Sequence, residues 1–334
     1  MKMYNGRQSQ TIYFISNQNL DRAEQEYYQT LQRTLDKIED DVVKLAGREL
    51  PTQAGKLIEL QSAIAIRPKI KTILQTQFLA WADTLTKKGF NRQAKRIERA
   101  FKGIGNIPIQ FQELTKGDLD LIRNLKLQTF TQFKDVSNTF TKRLADKVYQ
   151  NTLVGREFVE LEQELRQTIN GIYSKTSDKD AQELVDFVKK NKNKKSMQVS
   201  VDKAVQTLQS KFGRDRAGDN MRKYASQLLN DGLREFDAQV NAYKSQEAGL
   251  THVKYFGDII PTTREVCKNI LRGVYKKRQS NVFTIDEVRK LWRQRSWSGK
   301  KPGDPLVVRG GYNCRHQWTY VSPDWYDSEG NLII

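Results

Sequence analysis

Residues 115–148 read TKGDLDLIRNLKLQTFTQFKDVSNTFTKRLADKV, and they indicate the fold class more clearly than any other segment. Apolar residues recur there at spacings that suit the repeat of an amphipathic helix with one buried face. Thr115, followed by Asp118, is typical of a helix start, because both side chains suit the unpaired amide groups of a first turn. The predicted buried face consists of Leu119, Ile122, Thr129, Phe133, Val136, Phe140, Leu144 and Val148.

The same periodicity dominates the first 250 residues. One apolar stripe covers residues 20–45 and should end before Pro51, because proline disfavours the helical conformation in the residue that precedes it. A second stripe covers residues 57–85 and is interrupted at Pro68. Further helices are predicted at residues 91–101, 157–173, 201–212 and 221–243.

Two segments of this region are predicted to be irregular. Gly89, Gly103, Gly105 and Pro108 indicate a broken region around the short basic helix. Residues 174–200 are polar and end in a lysine-rich run, which predicts a mobile loop or a solvated helix end.

The pattern changes near Gly249. Residues 252–256, His-Val-Lys-Tyr-Phe, are typical of a strand, and residues 284–287, Thr-Ile-Asp-Glu, form a capping box that opens another helix. Residues 314–321 alternate in polarity toward a final strand. We therefore predict a mainly α protein, with a long helical region at 1–250 and a small basic α+β domain at 251–334.

The composition narrows the class of protein. Of 334 residues, 37% are hydrophobic and 29% charged, and the mean hydropathy is −0.71, which favours an elongated protein with much surface. No apolar run approaches the ~20 residues of a membrane span. Residues 1–7 lack the apolar stretch of a signal peptide, and two cysteines fit a reducing compartment. We expect a protein made in a cytoplasm.

Positive charge is concentrated near the C-terminus. The net charge is +18, and residues 264–315 hold 14 basic and 4 acidic residues. Such a surplus favours an anionic partner, either nucleic acid or an acidic protein surface. Interleaved aromatic residues suit base stacking, but we expect Tyr275 and Trp292 to lie in the core of the small domain instead. The predicted DNA-binding residues are Lys276, Lys277, Arg278, Arg293, Arg295, Lys300 and Lys301.

Two short segments carry the most specific pattern. The first is an Asp-x-x-x-x-Thr-Arg-x-x-Cys segment, and the second is Gly-Gly-Tyr-Asn-Cys-Arg-His at residues 310–316. A helix rich in arginine and alanine precedes them, with Arg222, Ala225, Arg234, Phe236, Asn241 and Ala242. In this order the segments resemble the C-terminal domain of the Mu F-like family of phage minor head proteins, over residues 215–322. Many members of that family have additional cysteines or histidines, whereas each segment here has one cysteine.

The resemblance implies a bacteriophage virion protein. Members of the family are minor capsid proteins that sit with the portal or inside the head, so the implied roles are viral assembly, head morphogenesis and genome ejection. The implied partners are the portal protein, the major capsid protein and the double-stranded DNA genome, with no membrane. The implied location is the virion head, after synthesis in the bacterial host cytoplasm.

Two other functions fit the same features. Small basic domains on helical carriers also occur in toxin-like nucleases and ADP-ribosyltransferases. A head-completion factor that binds only protein would also use a positive surface. The sequence has no Walker A motif, no Gly-x-Gly-x-x-Gly after a strand and no His-Glu-x-x-His, so we expect no enzyme and assign no catalytic residue.

We expect the two segments to form a structural knot. Its predicted members are Asp258, Thr263, Arg264, Cys267, Gly311, Asn313, Cys314, Arg315 and His316. An ion pair between Asp258 and either Arg264 or Arg315 should hold the segments together, while Gly310 and Gly311 indicate a tight turn or a close approach of backbone.

The cysteines of this knot allow three arrangements. They are reduced and buried, or they form a disulfide after exposure to an oxidising medium, or they bind zinc. The zinc set would be Cys267, Cys314, His316 and His252. Cys314 and His316 would point to the same side of a strand, although their spacing differs from the usual Cys-x-x-Cys knuckle.

Reversing the charge at Lys276, Lys277 and Arg278 should weaken DNA binding and flatten its salt dependence, because fewer phosphates would be neutralised. A filter-binding assay over a range of salt concentrations measures both quantities. Unchanged affinity and slope would remove these three residues from the DNA-binding set.

Overall fold

The computed structural model describes most of the chain. The described residues are 6–102, 109–171, 179–191, 194–212, 220–261, 263–276, 281–312 and 314–321, and only backbone is described for 6–19, 109, 111, 195 and 209–212. The protein is mainly α-helical, with a small sheet near the C-terminus, as the sequence predicts. No helix in these ranges combines the length and apolar character needed to cross a membrane.

Long helices make up most of the first 250 residues. The elements before the sheet are α1 (Gly6–Glu49), β1 (Thr52–Gln53), β2 (Lys56–Leu57), α2 (Leu60–Ile73), a π-helical segment (Leu74–Leu79), α3 (Ala80–Thr84), a second π-helical segment (Leu85–Gly89), α4 (Phe90–Lys102), α5 (Ile109–Gln112), α6 (Lys116–Leu153), α7 (Phe158–Asn170), α8 (Lys179–Asn191), a 3-10 turn (Lys195–Met197), α9 (Gln198–Phe212) and α10 (Met221–Glu247).

Short elements follow α10. They are β3 (His252–Phe256), α11 (Glu265–Leu271), β4 (Val282–Thr284), α12 (Ile285–Gln294), α13 (Pro305–Val308) and β5 (Gln317–Val321). The strand order is β4-β3-β5, and both pairs are antiparallel. Val253 and Tyr255 of the central strand are buried, opposite the buried Tyr320 and Trp318 of β5.

The predicted helix boundaries at the two capping sequences are confirmed. The Asp118 amide donates to the Thr115 hydroxyl at 3.1 Å, and the Thr115 amide donates to the Asp118 carboxylate at 2.8 Å. Thr284 and Glu287 make the same reciprocal pair at the start of α12. Local hydrogen-bonding chemistry therefore fixes these two starts.

The predicted interruptions at Pro68 and Gly89 are wrong. Pro68 lies inside α2. Because proline has no amide hydrogen, the carbonyl group of Ile64 loses its helical hydrogen bond. Ile64 is 57% exposed, so water can bond to that carbonyl group instead. Gly89 closes a π-helical turn that leads directly into α4.

The prediction of a loop or solvated helix end over residues 174–200 is also wrong where that segment is described. Residues 179–191 form α8, whose buried face of Ala181, Val185 and Val188 packs against Val201 and Leu208 of α9. The buried apolar side chains of α8 are small and are separated by many charged residues, so the apolar stripe was too weak to identify from the sequence. The predicted buried face of α6 is confirmed at six of its eight positions. Leu119 is exposed and Val136 only partly buried, whereas the neighbouring Asp118 and Ser137 are buried.

The chain forms two compact units. The first comprises Met1–Glu24, Thr86–Gln128 and Asn230–Ile334, and the second comprises Gln25–Leu85 and Thr129–Leu229. In the second unit, Phe78, Trp81 and Phe133 form an aromatic cluster, and the Trp81 indole donates to the Thr30 hydroxyl at 3.0 Å. The division expected at residue 250 stays a prediction.

A buried ion pair stabilises the first unit. The Lys244 ammonium group donates to the Asp118 carboxylate at 3.1 Å and to the Glu113 carbonyl at 2.8 Å. Neither side chain of the pair is exposed, and the ammonium group lies 5.3 Å from the centre of the Phe101 ring. The pair joins the first turn of α6 to the last part of α10.

Lys244→Ala should lower the free energy of unfolding by about 3–5 kcal/mol, because it leaves a buried carboxylate without its cation. Urea denaturation followed by circular dichroism measures this loss. Lys102→Ala is the control, since the Lys102 side chain is 45% exposed in its ion pairs, and the urea midpoint should hardly change. Equal midpoints for the two variants would contradict a stabilising role of the buried pair.

Candidate functional site: a buried cysteine and histidine cluster

The structure brings the two predicted segments together. Cys267 lies on α11, and Cys314 and His316 lie in the irregular segment that leads into β5. The Cys314 sulfur is 3.6 Å from Nδ1 of His316, and the ligand atoms of all three residues lie within 4.8 Å of one another. Both cysteines are free and buried. We call Cys267, Cys314 and His316 the Cys2His cluster.

Tyr255 completes this cluster. Its hydroxyl group lies 3.5 Å from each of the two sulfur atoms, and its ring stacks on the His316 ring with the centres 5.3 Å apart. Burial raises the pKa of the Tyr255 hydroxyl well above its usual value, and the neighbouring thiols add to that effect. No sequence motif includes Tyr255, although its inward position on a predicted strand was a usable signal.

The two thiols are not equivalent. The hydrogen bond from Cys267 lowers the pKa of Cys314 well below its usual value, and His316 and the charge of Arg309 contribute in the same direction. The same hydrogen bond, with burial, raises the pKa of Cys267. Cys314 is therefore the sulfur that carries negative charge first, with Cys267 as its hydrogen-bond donor.

Gly310 allows the backbone to pass directly over both sulfur atoms. A methyl group at this position would overlap the Cys267 sulfur and lie 2.7 Å from the Cys314 sulfur. The carbonyl oxygen of Gly310 accepts a hydrogen bond from the Trp297 indole at 3.0 Å, which fixes the peptide in place. The close approach of backbone predicted for this glycine pair is confirmed.

Arg309 is an unexpected buried cation beside the cluster. Its side chain is fully buried, and none of its three guanidinium nitrogens has a hydrogen-bond partner among the described residues. Its φ of 54° and ψ of −125° lie in a region that favours glycine, and such a conformation costs on the order of 1–3 kcal/mol. The sequence offered no signal for this residue, because nothing near it marks an arginine as buried.

The predicted ion pair between the two segments is wrong. The Arg264 guanidinium donates instead to the carbonyl oxygens of Ser298 at 3.1 Å and Tyr312 at 2.7 Å. Asp258 is exposed and makes no ion pair with Arg264 or Arg315. Arg264 still holds the segments together, because its planar group suits two backbone acceptors as well as a carboxylate.

A second arginine connects the cluster to the helices. The Arg234 guanidinium donates to the Arg315 carbonyl at 3.2 Å, between the two ligand residues Cys314 and His316. It also pairs with Asp21 and Glu24 of α1 at 2.6 Å each, although Arg234 itself is almost completely buried. Arg234 is thus a positioning residue for the segment that carries the histidine.

The other predicted members of the knot have different positions. Thr263 closes a turn, since its hydroxyl accepts from the Ile260 amide at 2.9 Å. Gly311 has a φ of 102°, and any side chain there would overlap the Gly299 carbonyl. Arg315 is exposed and contributes its carbonyl group. Asn313 lies outside the described residues.

His252 does not belong to the cluster, which corrects the predicted zinc set. His252 lies at the start of β3, where it is opposite Val321 of β5. The other end of β3, where Phe256 is opposite Gln317, is the end near His316. Four residues of extended strand separate the two ends, about 13 Å at roughly 3.3 Å per residue. The shared strand side proposed for Cys314 and His316 is also wrong in detail, because both precede β5.

Three of the five described residues in the predicted DNA-binding set make internal hydrogen bonds or ion pairs. Lys276 pairs with Glu287 at 2.8 Å, and Lys301 pairs with Glu235. Lys300 donates to the carbonyl groups of Trp292 and Arg295 at the end of α12. Arg293 and Arg295 are exposed, and Lys277 and Arg278 lie outside the described residues.

Comparison of the chain with protein-family models, curated proteins and solved structures finds no match. The chemistry of the cluster therefore has to be inferred from its own atoms. Two sulfur donors, an imidazole nitrogen and a phenol oxygen converge in a buried site next to a cation. This arrangement suits a bound metal ion or a reactive thiol pair.

Gly310→Ala should displace the two sulfur atoms, because the added methyl group has no room. We expect a loss of about 1–3 kcal/mol in the free energy of unfolding and faster reaction of both thiols with Ellman's reagent. Gly249→Ala is the control, since an added methyl group there meets no atom within 4 Å, although the φ of 74° at Gly249 strains an alanine. Equal thiol reactivity in the two variants would contradict the close packing at Gly310.

Proposed function

We propose that this protein is a minor head protein of a bacteriophage virion. Its helical region binds portal or capsid subunits, and exposed basic residues of its C-terminal part contact packaged double-stranded DNA. The protein is made in the host cytoplasm, enters the head during assembly and aids head morphogenesis or genome delivery. The proposal includes no catalytic step.

One observation supports the proposal most directly. The three sequence segments that resemble the Mu F-like domain converge on one buried site in the fold. Cys267 comes from the first segment and Cys314 with His316 from the second, while Arg234 of the preceding helix bonds to the peptide between these last two residues. Residues that are separated in sequence thus act as one structural motif, which is what a shared domain would require.

The exposed charges supply a surface for DNA. Five arginine and lysine side chains of this region are exposed and have no acidic partner among the described residues: Arg272, Lys290, Arg293, Arg295 and Arg315. Lys290 and Arg293 lie one turn apart on α12, and Arg295 follows directly, with its guanidinium 4.1 Å from the centre of the Tyr275 ring. Phosphate groups are the natural partners for such a set.

Salt-dependent binding of the full chain to double-stranded DNA tests the DNA contact. The variant Arg293→Glu with Arg295→Glu should bind more weakly, and the slope of log affinity against log salt should become shallower by about 2, near 0.9 for each lost phosphate contact. The control is Arg48→Glu with Arg123→Glu, which changes net charge equally at residues 73% and 82% exposed. Control binding should keep the wild-type slope.

The outcomes separate the candidate functions. Equal slopes for both variants would overturn the assigned DNA surface. Cleaved DNA on a gel would support a toxin-like nuclease instead, and binding to portal protein without DNA binding would support a head-completion factor. Absence of the protein from purified DNA-filled particles would overturn the head assignment itself.

A further inference from the structure

We propose that Cys267, Cys314 and His316 bind one zinc ion, with the hydroxyl oxygen of Tyr255 at the fourth corner. The site goes beyond the proposed virion function and does not depend on it.

The distances fit a tetrahedral zinc site. With bonds of about 2.3 Å to sulfur and about 2.0–2.1 Å to nitrogen or oxygen, tetrahedral angles place two sulfur atoms about 3.8 Å apart and a sulfur atom about 3.5–3.6 Å from nitrogen or oxygen. The Cys314 sulfur lies 3.6 Å from Nδ1 of His316, and the Tyr255 oxygen lies 3.5 Å from both sulfurs. These three distances between donor atoms match those of a tetrahedral zinc site, and the ligand atoms of Cys267, Cys314 and His316 all lie within 4.8 Å of one another.

The donor types favour zinc over harder cations. Thiolate and imidazole ligands select zinc among the common divalent ions, whereas magnesium and calcium require several oxygen ligands. The cluster contains no carboxylate, and the nearby Asp258 of the first segment is exposed. All four proposed ligand residues are buried, which is typical of a structural site rather than an open catalytic one.

The surrounding structure holds the donors in position. The Tyr255 ring stacks on the His316 ring, and Gly257 leaves room for that imidazole, because a side chain at 257 would overlap it. Gly310 leaves room for the two sulfurs in the same way. A site arranged before binding loses less conformational entropy when the ion enters.

The buried guanidinium of Arg309 is explained by such a site. Binding through both cysteines releases their two protons to solvent and leaves two thiolates beside the ion. When Tyr255 binds as a phenolate and releases a third proton, the charges of zinc, Arg309, two thiolates and one phenolate cancel. Arg309 has no hydrogen-bond partner among the residues that the structure describes, and a buried cation without an anionic group beside it is costly.

Elemental analysis of the purified full chain tests the proposal. We expect about one zinc per chain, released on addition of a chelator, with a fall in the thermal midpoint because the ion contributes to folding. Replacing zinc with cobalt should give visible d–d bands and a sulfur-to-cobalt charge-transfer band. Because the chain has only two cysteines, that band can arise only from Cys267 and Cys314.

Variants assign the ligands. Cys267→Ser, Cys314→Ser and His316→Gln should each reduce bound zinc to well below one per chain, whereas His252→Gln, which alters the other histidine of the chain, should retain it. Tyr255→Phe should keep the ion but shift the cobalt d–d bands, since water would replace the phenol oxygen. An unchanged spectrum would remove Tyr255 from the fourth corner.

Wild-type measurements keep the test decisive if a variant fails to fold. Metal-free protein with two thiols that react after denaturation, and no uptake of added zinc or cobalt, would overturn the proposal. Loss of both thiols before reduction would show a disulfide and would overturn it too. Zinc binding without DNA binding would leave this site intact while overturning the proposed function.

Discussion

The passage of the backbone over two sulfur atoms at Gly310 is the constraint on which the C-terminal part of the structure depends. Gly310 has no side chain, and there is no room for one. The backbone can therefore come into van der Waals contact at this point with α11, the turn after α13 and the segment before β5. The Trp297 indole, the Arg264 guanidinium and the Tyr312 amide then bond to the backbone around that point. The cluster of donor atoms follows from this close packing.

Positive charge in this region serves two different purposes. Much of it is used inside the fold, where Arg264 and Lys300 bind carbonyl groups and Lys276 pairs with a carboxylate. Only the exposed remainder is available to a partner. A count of charges along the sequence therefore overestimates an anion-binding surface, because lysine and arginine are also the best donors for unpaired carbonyl groups at helix ends and turns.

Local chemistry made part of the structure predictable. The capping sequences at Thr115 and Thr284 mark helix starts correctly, because their hydrogen bonds form between residues three apart. The pairing of Cys267 with Cys314 was recognised by resemblance rather than by physics. The ion pair of Asp258 was predicted wrongly. The sequence shows which side chains are charged, but it does not show that backbone carbonyl groups compete with Asp258 for the Arg264 guanidinium. The contacts of Arg309 and Tyr255 with the cluster depend on tertiary packing, which no local sequence pattern reports.

The contacts of Arg234 bear on how the protein is made. This side chain bonds to Asp21, which is 213 residues away, and to the carbonyl of Arg315, 81 residues further on. Its unit therefore combines residues that are synthesised far apart in time. Closing such long loops is slow, and the contacts of Arg234 cannot be complete until residue 315 has been synthesised. Until then the early helix lacks its native partners, and a nascent chain would depend on chaperones or on neighbouring segments for protection from aggregation.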